Sequence, residues 1–470
     1  MNASQMLHQM CHKALSNADV KAICKNRGFS AKEAASRALF ENFFLSDIGL
    51  EAAMASLTKE EVVLLHFLRF IGEEVDVAVF ARIYGSDRAQ GGYYHRTFTQ
   101  RYQQVFKQTR LSLIRKGVLL LAEDKQARNA DTKMERWRFR FPEKFEHFLP
   151  PLVIQTTTLT KSGDVRSDVR RRKLIEMVGQ RLPSPTSGDN RYHLRLVDGA
   201  LKMGDRPFRA KHLWEWQRAC WQGSISLPKK KWQDGETRAV PPMEAAAHVF
   251  GQLGEREWIR PGQLSLPLRI FCDAHLDGVQ VCQAGWKWGC LARQELDGIT
   301  YYRLPEKKAE VEMEPERYLF ATAGRPLVVN LETVPYTNLE HLARISTLEV
   351  MDSVQGLLTA VPDLIQMGNA PGSVRGHGLV QWLQKQVPTF RQTLEMVEQR
   401  WGTQIVHEDL LIARIGDLGL RVQLEKAFPD PKEVVFLPND YIAFPRALWM
   451  AVQKIVTKSG HVIKRVQAND

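Results

Sequence analysis

No stretch of the 470-residue chain approaches the ~18 consecutive apolar residues that a membrane-spanning helix needs. The N-terminal segment MNASQMLHQMCHKALSN is polar and lacks the apolar centre of a secretory leader. Only six cysteines are present, without paired short spacings, which excludes a disulfide framework. There is no Gly-Lys dipeptide, so a Walker phosphate loop is excluded, and HExxH, GxSxG and GxGxxG are missing as well. Asp273-Ala274-His275 looks like a helicase box, but without a phosphate loop it has nothing to act on. Cys272, His275, Cys282 and Cys290 follow one another as C-x2-H-x6-C-x7-C, which lacks the close pairs of structural zinc sites and reads as core cysteine. Carboxylates such as Glu306 and Asp363 have no ExK-type neighbour, so a metal nuclease is not indicated. These absences predict a cytoplasmic binding protein without enzymatic activity, cofactor or metal.

What is present is positive charge, unevenly spread. Lys and Arg total 65 against 53 Asp and Glu, a net charge of +12. Residues 315–470 hold 16 of each sign, so the excess lies entirely in front of them. Residues 151–231 alone carry 17 basic and 7 acidic side chains. A basic front joined to a neutral back predicts one part that binds a polyanion and another that does something else.

Hydrophobic periodicity divides the chain into five parts: 1–50, 51–150, 151–240, 241–310 and 315–470. In the first, helices are predicted over 16–27 and 31–44, with Lys21, Lys25, Arg27, Lys32 and Arg37 on the outside. In the second, the capping box Thr58-Lys59-Glu60-Glu61 opens an apolar helix. A short helix over 75–84, a Gly-rich loop and a long helix over 97–116 follow. VLLLAE (118–123) and WRFRF (137–141) read as strands about a charged loop. Three helices and a strand pair spell a winged helix-turn-helix. Its third helix has no acid between Gln100 and Lys116 and offers Arg101, Lys107, Arg110, Arg115 and Lys116 to a DNA groove. Lys125, Arg128 and Lys133 lie in the predicted wing.

The third part holds Arg170-Arg171-Arg172-Lys173, the Trp-rich KHLWEWQRACW (211–221) and Lys229-Lys230-Lys231. Trp214, Trp216 and Trp221 at helical spacing fit either a core or a base-stacking surface, and the basic runs fit phosphate contact. Helices over 244–253, 261–271 and 279–289, then CLARQE and ITYYRLP about Leu296-Asp297-Gly298, repeat the winged-helix pattern. Its third helix has little charge beyond Lys287, which favours a structural role. Residues 315–470 alternate strands (317–320, 327–329, 409–415, 433–437, 462–465) with helices (339–348, 379–385, 390–401, 445–456).

In this last part ERYLFATAGRPLVVNLETVP (316–335), LARISTLEV (342–350) and LVQWLQKQVPTFRQTLEMVEQRWG (379–402) resemble the helicase-associated domain that precedes the motor in bacterial XPB-type helicases. DLLIARIGDLGLRVQLEK (409–426) and YIAFPRALWMAVQKIVTKSGHVI (441–463) match its last strands and helix. The family's His-Ser in the third segment is missing here. LSNADVKAICKNRGF, near the N-terminus, looks like the SAP-like helical module of stand-alone helicase-associated proteins. GWKWGCLARQELDGITYYRLP (285–305) looks like their wing. The resemblance implies an α+β, multi-domain chain of a bacterial cell: tandem winged helices followed by a mixed α+β helicase-associated domain, without the motor. It also implies an accessory subunit that grips duplex or junction DNA and docks a separately encoded helicase or other ATPase, in DNA repair or anti-phage defence. Scaffolding of an SMC-type ATPase and transcription regulation are the alternatives.

Overall fold

The structure is a computed structural model that describes residues 2–463 apart from 31, 34, 86–97, 125–133, 154, 161–162, 180–189, 228–237, 307–312, 401–408 and 431–432. It is a mixed α+β chain whose sheets are small.

Helix α1 (Ala3–Gln9) runs into a π-helical turn, Met10–Ala14. Helices α2 (Asn17–Arg27), α3 (Arg37–Phe44) and α4 (Leu50–Ala55) follow. Helix α1 is absent from the sequence-based expectation, and among the described residues of the predicted 31–44 helix only 37–44 are helical. Thr58 and Glu61 close the expected capping box at the start of α5 (Lys59–Ile71). A 3₁₀ turn leads into α6 (Ala81–Tyr84), and α7 (Phe98–Thr109) continues as a π turn to Ile114. Strands β1 (Leu120–Glu123) and β2 (Trp137–Arg140) pair antiparallel, and Val75 bridges to Phe139. The edge of β1 is covered by α1: the Gln9 amide donates to the Glu123 carbonyl (2.8 Å) and accepts from its N–H (3.1 Å).

Next come β3 (Thr157–Thr158), α8 (Asp168–Gly179), β4 (Leu194–Val197), β5 (Ala200–Met203), β6 (Arg206–Pro207) and α9 (Ala210–Gly223). Then α10 (Pro242–Gly251), β7 (Glu257–Trp258), α11 (Ser265–Cys272), α12 (Gly278–Lys287), β8 (Ala292–Leu296) and β9 (Ile299–Arg303) repeat the order found in 59–140. Ile259 bridges to Tyr302 as Val75 does to Phe139. The turn between β8 and β9 has positive φ at Asp297 and Gly298, the conformation for which Asp-Gly is selected in two-residue hairpins.

These two units and the N-terminal helices share one hydrophobic core. Their junction is α5 against α11, where Phe67 and Phe271 meet edge to face with centroids 5.4 Å apart. The buried Arg82 guanidinium donates to the carbonyls of Ile270 (2.6 Å) and Arg238 (3.2 Å) and lies 4.5 Å from the Phe67 ring centre.

A second core lies between α8, the β4–β5 hairpin and the four-stranded sheet β10 (Leu319–Phe320), β11 (Leu327–Asn330), β13 (Leu357–Pro362), β12 (Ser346–Asp352). Helices α13 (Tyr336–Leu342), α14 (Leu364–Asn369), α15 (Gly372–Arg375), α16 (Gly378–Gln386) and α17 (Pro388–Arg400) complete it. The 151–240 segment is therefore not a bare connector. Helix α9 places Leu213 in this core and Trp221 in the first. A third, small core joins β14 (Leu410–Arg414), β15 (Val435–Phe436) and β16 (Tyr441–Pro445) to α18 (Leu418–Ala427) and α19 (Trp449–Lys458).

The LARISTLEV segment, expected as helix, is helical only to Leu342 and then becomes β12. Ser346 to Val350 pair in register with Pro362 to Leu358, so ladder hydrogen bonds override local helix propensity. Strand β13 lies in a segment not expected to be a strand, β16 opens the 441–463 segment that the resemblance gave to the last strands and helix, and residues 462 and 463 of the last predicted strand have no regular structure. Among the described residues no helix is long and apolar enough to cross a membrane.

Candidate nucleic-acid interface

The basic third helix of the first unit is largely committed to the fold. Arg110 donates to Asp19 Oδ2 through Nη2 (2.5 Å) and to the Ala14 carbonyl (3.1 Å), and Arg115 Nε donates to Asp19 Oδ1 (2.9 Å). Asp19 is fully buried. Burial opposes its ionisation, but the hydrogen bonds from Arg110, Ser16 and Arg115 outweigh it and hold the carboxyl well below the usual carboxylate range. Lys116 reaches the Ser56 carbonyl (2.9 Å) and Glu61 (3.3 Å), and Arg101 is buried. The expectation that these four face a groove is corrected accordingly: only Lys107 of the five lies on the exposed face, beside Gln100, Gln103 and Gln104. A second correction concerns Arg27, expected outside and fully buried. Lys125, Arg128, Lys133 and Lys229 to Lys231 lie outside the described residues.

The Arg170–Lys173 block is divided by helical geometry. Residues 169, 172, 173 and 176 share one face of α8, while 171, 174 and 178 share another. Arg171 donates to the carbonyls of Leu331 (2.6 Å) and Val334 (2.7 Å) and stacks on Tyr336 with Arg170. That pair ties α8 to the second core. Arg172 and Lys173 face the other way, into a cleft of about 260 Å³ between α8, α9 and the end of α12.

The cleft is lined by Arg166, Arg172, Lys173 and Lys287, one carboxylate (Glu176), and Trp216, Trp288 and Cys220. Trp216 and Cys220 are one turn apart on α9. Lys173 Nζ sits 5.3 Å from the Trp216 ring centre, and Trp216 meets Trp288 edge to face at 5.8 Å. Trp288 is fixed from two sides: its indole N–H donates to Ser224 Oγ (2.8 Å), and its carbonyl accepts from Gln217 Nε2 (2.8 Å). Gly289, next to Trp288, packs against the Arg166 backbone. A Cβ there would lie 2.5 Å from the Arg166 carbonyl, and its φ of +69° favours glycine in any case. Helix α12 is held to α9 by the buried Trp221, whose N–H donates to the Val281 carbonyl (2.9 Å) and whose ring lies where a Gly285 side chain would be. Burying that indole stabilises the junction by about 3 kcal/mol.

Arg166 and Arg172 both pair with the exposed Asp168, at 3.7 and 2.8 Å. Among the described residues no carboxylate pairs with Lys173 or Lys287. Burial pushes the Cys220 thiol up to about 11, against the pull of Lys173. The basic and aromatic strip extends over Trp286, which has Arg166 at 5.8 Å and Arg293 of β8 at 5.1 Å from its ring centre. Sequence reading gave Lys287 only a structural role and missed Trp288, Arg166 and Arg293, because they are scattered over 127 positions and are gathered only by the packing of α8 and α9 on α12 and by the bridge of Asp164 to Arg293.

Both third helices expose a matching row. Gln100, Gln103 and Lys107 on α7 have the spacing of Gln280, Gln283 and Lys287 on α12, and all six side chains are exposed. On α12 this row runs into the cleft at Lys287. Glutamine pairs bidentately with adenine edges and lysine with guanine edges or phosphates. At about 260 Å³ the cleft is smaller than the roughly 300–1,000 Å³ of drug-sized ligand pockets, so its size suits one phosphate or one stacked base.

Cys272, Cys282 and Cys290 are buried in the first core, and burial pushes the Cys290 thiol up to about 12. His275 is exposed. The chain matches no known family model, and no curated protein matches it.

Proposed function

We propose that the chain is a DNA-binding accessory subunit without catalytic activity. In this reading the units 59–140 and 242–303 are tandem winged helices, and α12 with the cleft beside it is the DNA grip. The observation that carries it is the convergence of Arg166, Arg172, Lys173 and Lys287 on a tryptophan pair: cations for phosphates beside π faces for bases. The neutral C-terminal units are assigned to partner docking. Ile412, Leu418 and Met450 are 68, 78 and 72% exposed there, apolar side chains that a partner would cover. Following the helicase-associated resemblance, the partner is a separately encoded helicase or other ATPase acting in DNA repair or anti-phage defence.

The test is binding of duplex and single-stranded oligonucleotides by the full chain across a salt series. The double variant Lys173→Glu/Lys287→Glu is expected to lower affinity by about tenfold or more, and to flatten the slope of log K against log salt by about 1.8, two phosphates' worth on duplex. An unchanged slope in the double variant, or no binding by the parent chain, would overturn this reading.

A further inference from the structure

A second group of ligating side chains lies far from the cleft in sequence. His8 on α1 and His12 in the π turn project from one helical face, with ring centres 4.5 Å apart. Both reach the same carboxylate, Glu41 of α3. His8 Nδ1 is 3.1 Å and His12 Nε2 2.8 Å from Glu41 Oε2, and the three donor atoms lie within 4.8 Å of one another. Among the described residues no other cluster of three His, Cys, Asp or Glu side chains converges in this way.

We propose that His8, His12 and Glu41 form a binding site for a divalent transition-metal ion of the zinc class. Two imidazoles and one carboxylate suit Zn²⁺ and its neighbours, while Ca²⁺ and Mg²⁺ prefer oxygen alone. Around a tetrahedral ion with ~2.1 Å bonds the donor atoms stand about 3.4 Å apart. The two nitrogen–oxygen separations would open by roughly 0.3 and 0.6 Å to reach that spacing, with the two nitrogens, within 4.8 Å of each other, turning onto the same ion, a rearrangement of side chains at the surface. His8 is mostly exposed, so a water or a partner's side chain completes the fourth position. The nearest cation on α3, Arg37, is turned away, donating to the Leu15 carbonyl and Asn17 Oδ1.

Two structural features support the arrangement. The π turn at Met10–Ala14 interrupts the helix between the two histidines, and such turns recur at functional sites. The two elements the ion would join are already anchored, α1 on the edge of β1 and α3 through Phe40 and Phe44 in the core. The bound ion therefore fixes the N-terminal helix to α3 at the surface.

The full chain, dialysed against chelator, is titrated with Zn²⁺ in competition with a chromophoric chelator, and with Co²⁺ followed by its visible absorption. One equivalent of Zn²⁺ and a tetrahedral Co²⁺ spectrum are expected. His12→Ala and Glu41→Gln each weaken binding by about tenfold or more, whereas His275→Ala, beside the core cysteines in sequence, leaves it unchanged. Absence of stoichiometric binding, or equal binding by the parent and His12→Ala, would overturn the proposal. His8→Ala, at the most exposed of the three positions, serves as the second variant if His12→Ala folds poorly.

Discussion

Asp19→Asn is expected to destabilise the N-terminal part of the protein by about 3 kcal/mol, although it changes one carboxylate into its amide. Asp19 is fully buried and is the shared acceptor of Arg110 and Arg115. Removing one partner of a buried ion pair costs roughly 3–5 kcal/mol. The lower end applies because the two arginine side chains are 25 and 33% exposed and partly rehydrate. Its pH dependence has a definite sign. The folded carboxyl titrates below its unfolded value of about 3.9, so its contribution is fully present above about pH 5 and is lost as the pH falls through and below that value. Urea unfolding at pH 7 and at about pH 2, where the unfolded carboxyl is protonated, should show a smaller loss of stability in Asp19→Asn than in the parent. An equal loss in both would assign the acid sensitivity elsewhere. The same geometry separates structure from function: Arg115→Ala should lower the unfolding midpoint and leave the salt slope of DNA binding unchanged.

The second large effect is at Arg27. It donates through Nε to the Ile48 carbonyl (2.7 Å) and through Nη1 and Nη2 to those of Gly117 (2.9 Å) and Ser46 (2.5 Å), with the Phe44 carbonyl at 3.4 Å. The guanidinium lies between Phe29 and Phe145, at 5.2 and 5.3 Å from their ring centres. Burial lowers its pKa to about 10, against the pull of Asp47 and still far above neutrality, so the charge is retained and its hydrogen bonds go to carbonyls. Arg27→Met keeps most of the stem and strands these carbonyls at about 1–3 kcal/mol for each buried group, so a loss of about 4 kcal/mol is expected in urea unfolding of the N-terminal part. Arg27→Lys should recover only part of it, because one ammonium cannot present a planar fork to three carbonyls. A loss below about 1 kcal/mol in Arg27→Met would show that the network contributes little beyond its own desolvation cost.

These residues mark where sequence reading succeeded and where it stopped. The capping box at Thr58 and Glu61, the helices of 242–287 and the Asp-Gly hairpin that follows were legible because their signals are local: a cap, a 3.6-residue period, a turn that needs positive φ. The basic character of 151–231 was legible by counting. Which of those charges face solvent was not. Arg27, Arg110 and Arg115 look like surface cations in one dimension, and their partners lie between 17 and 96 positions away in the chain.

The sequence by itself determined the order of helices and strands through the two repeated units, and a basic front ahead of a neutral back, because both depend only on neighbours and on composition. Tertiary structure decided which cations are spent on carbonyls and on Asp19 and which remain at the surface. It also decided that a helix of the supposed connector spans two cores, and that Lys173 meets Lys287 across a tryptophan pair. The physical reason is that burial and pairing belong to positions in space. A charge's role is set by the groups the fold brings within a few ångströms of it.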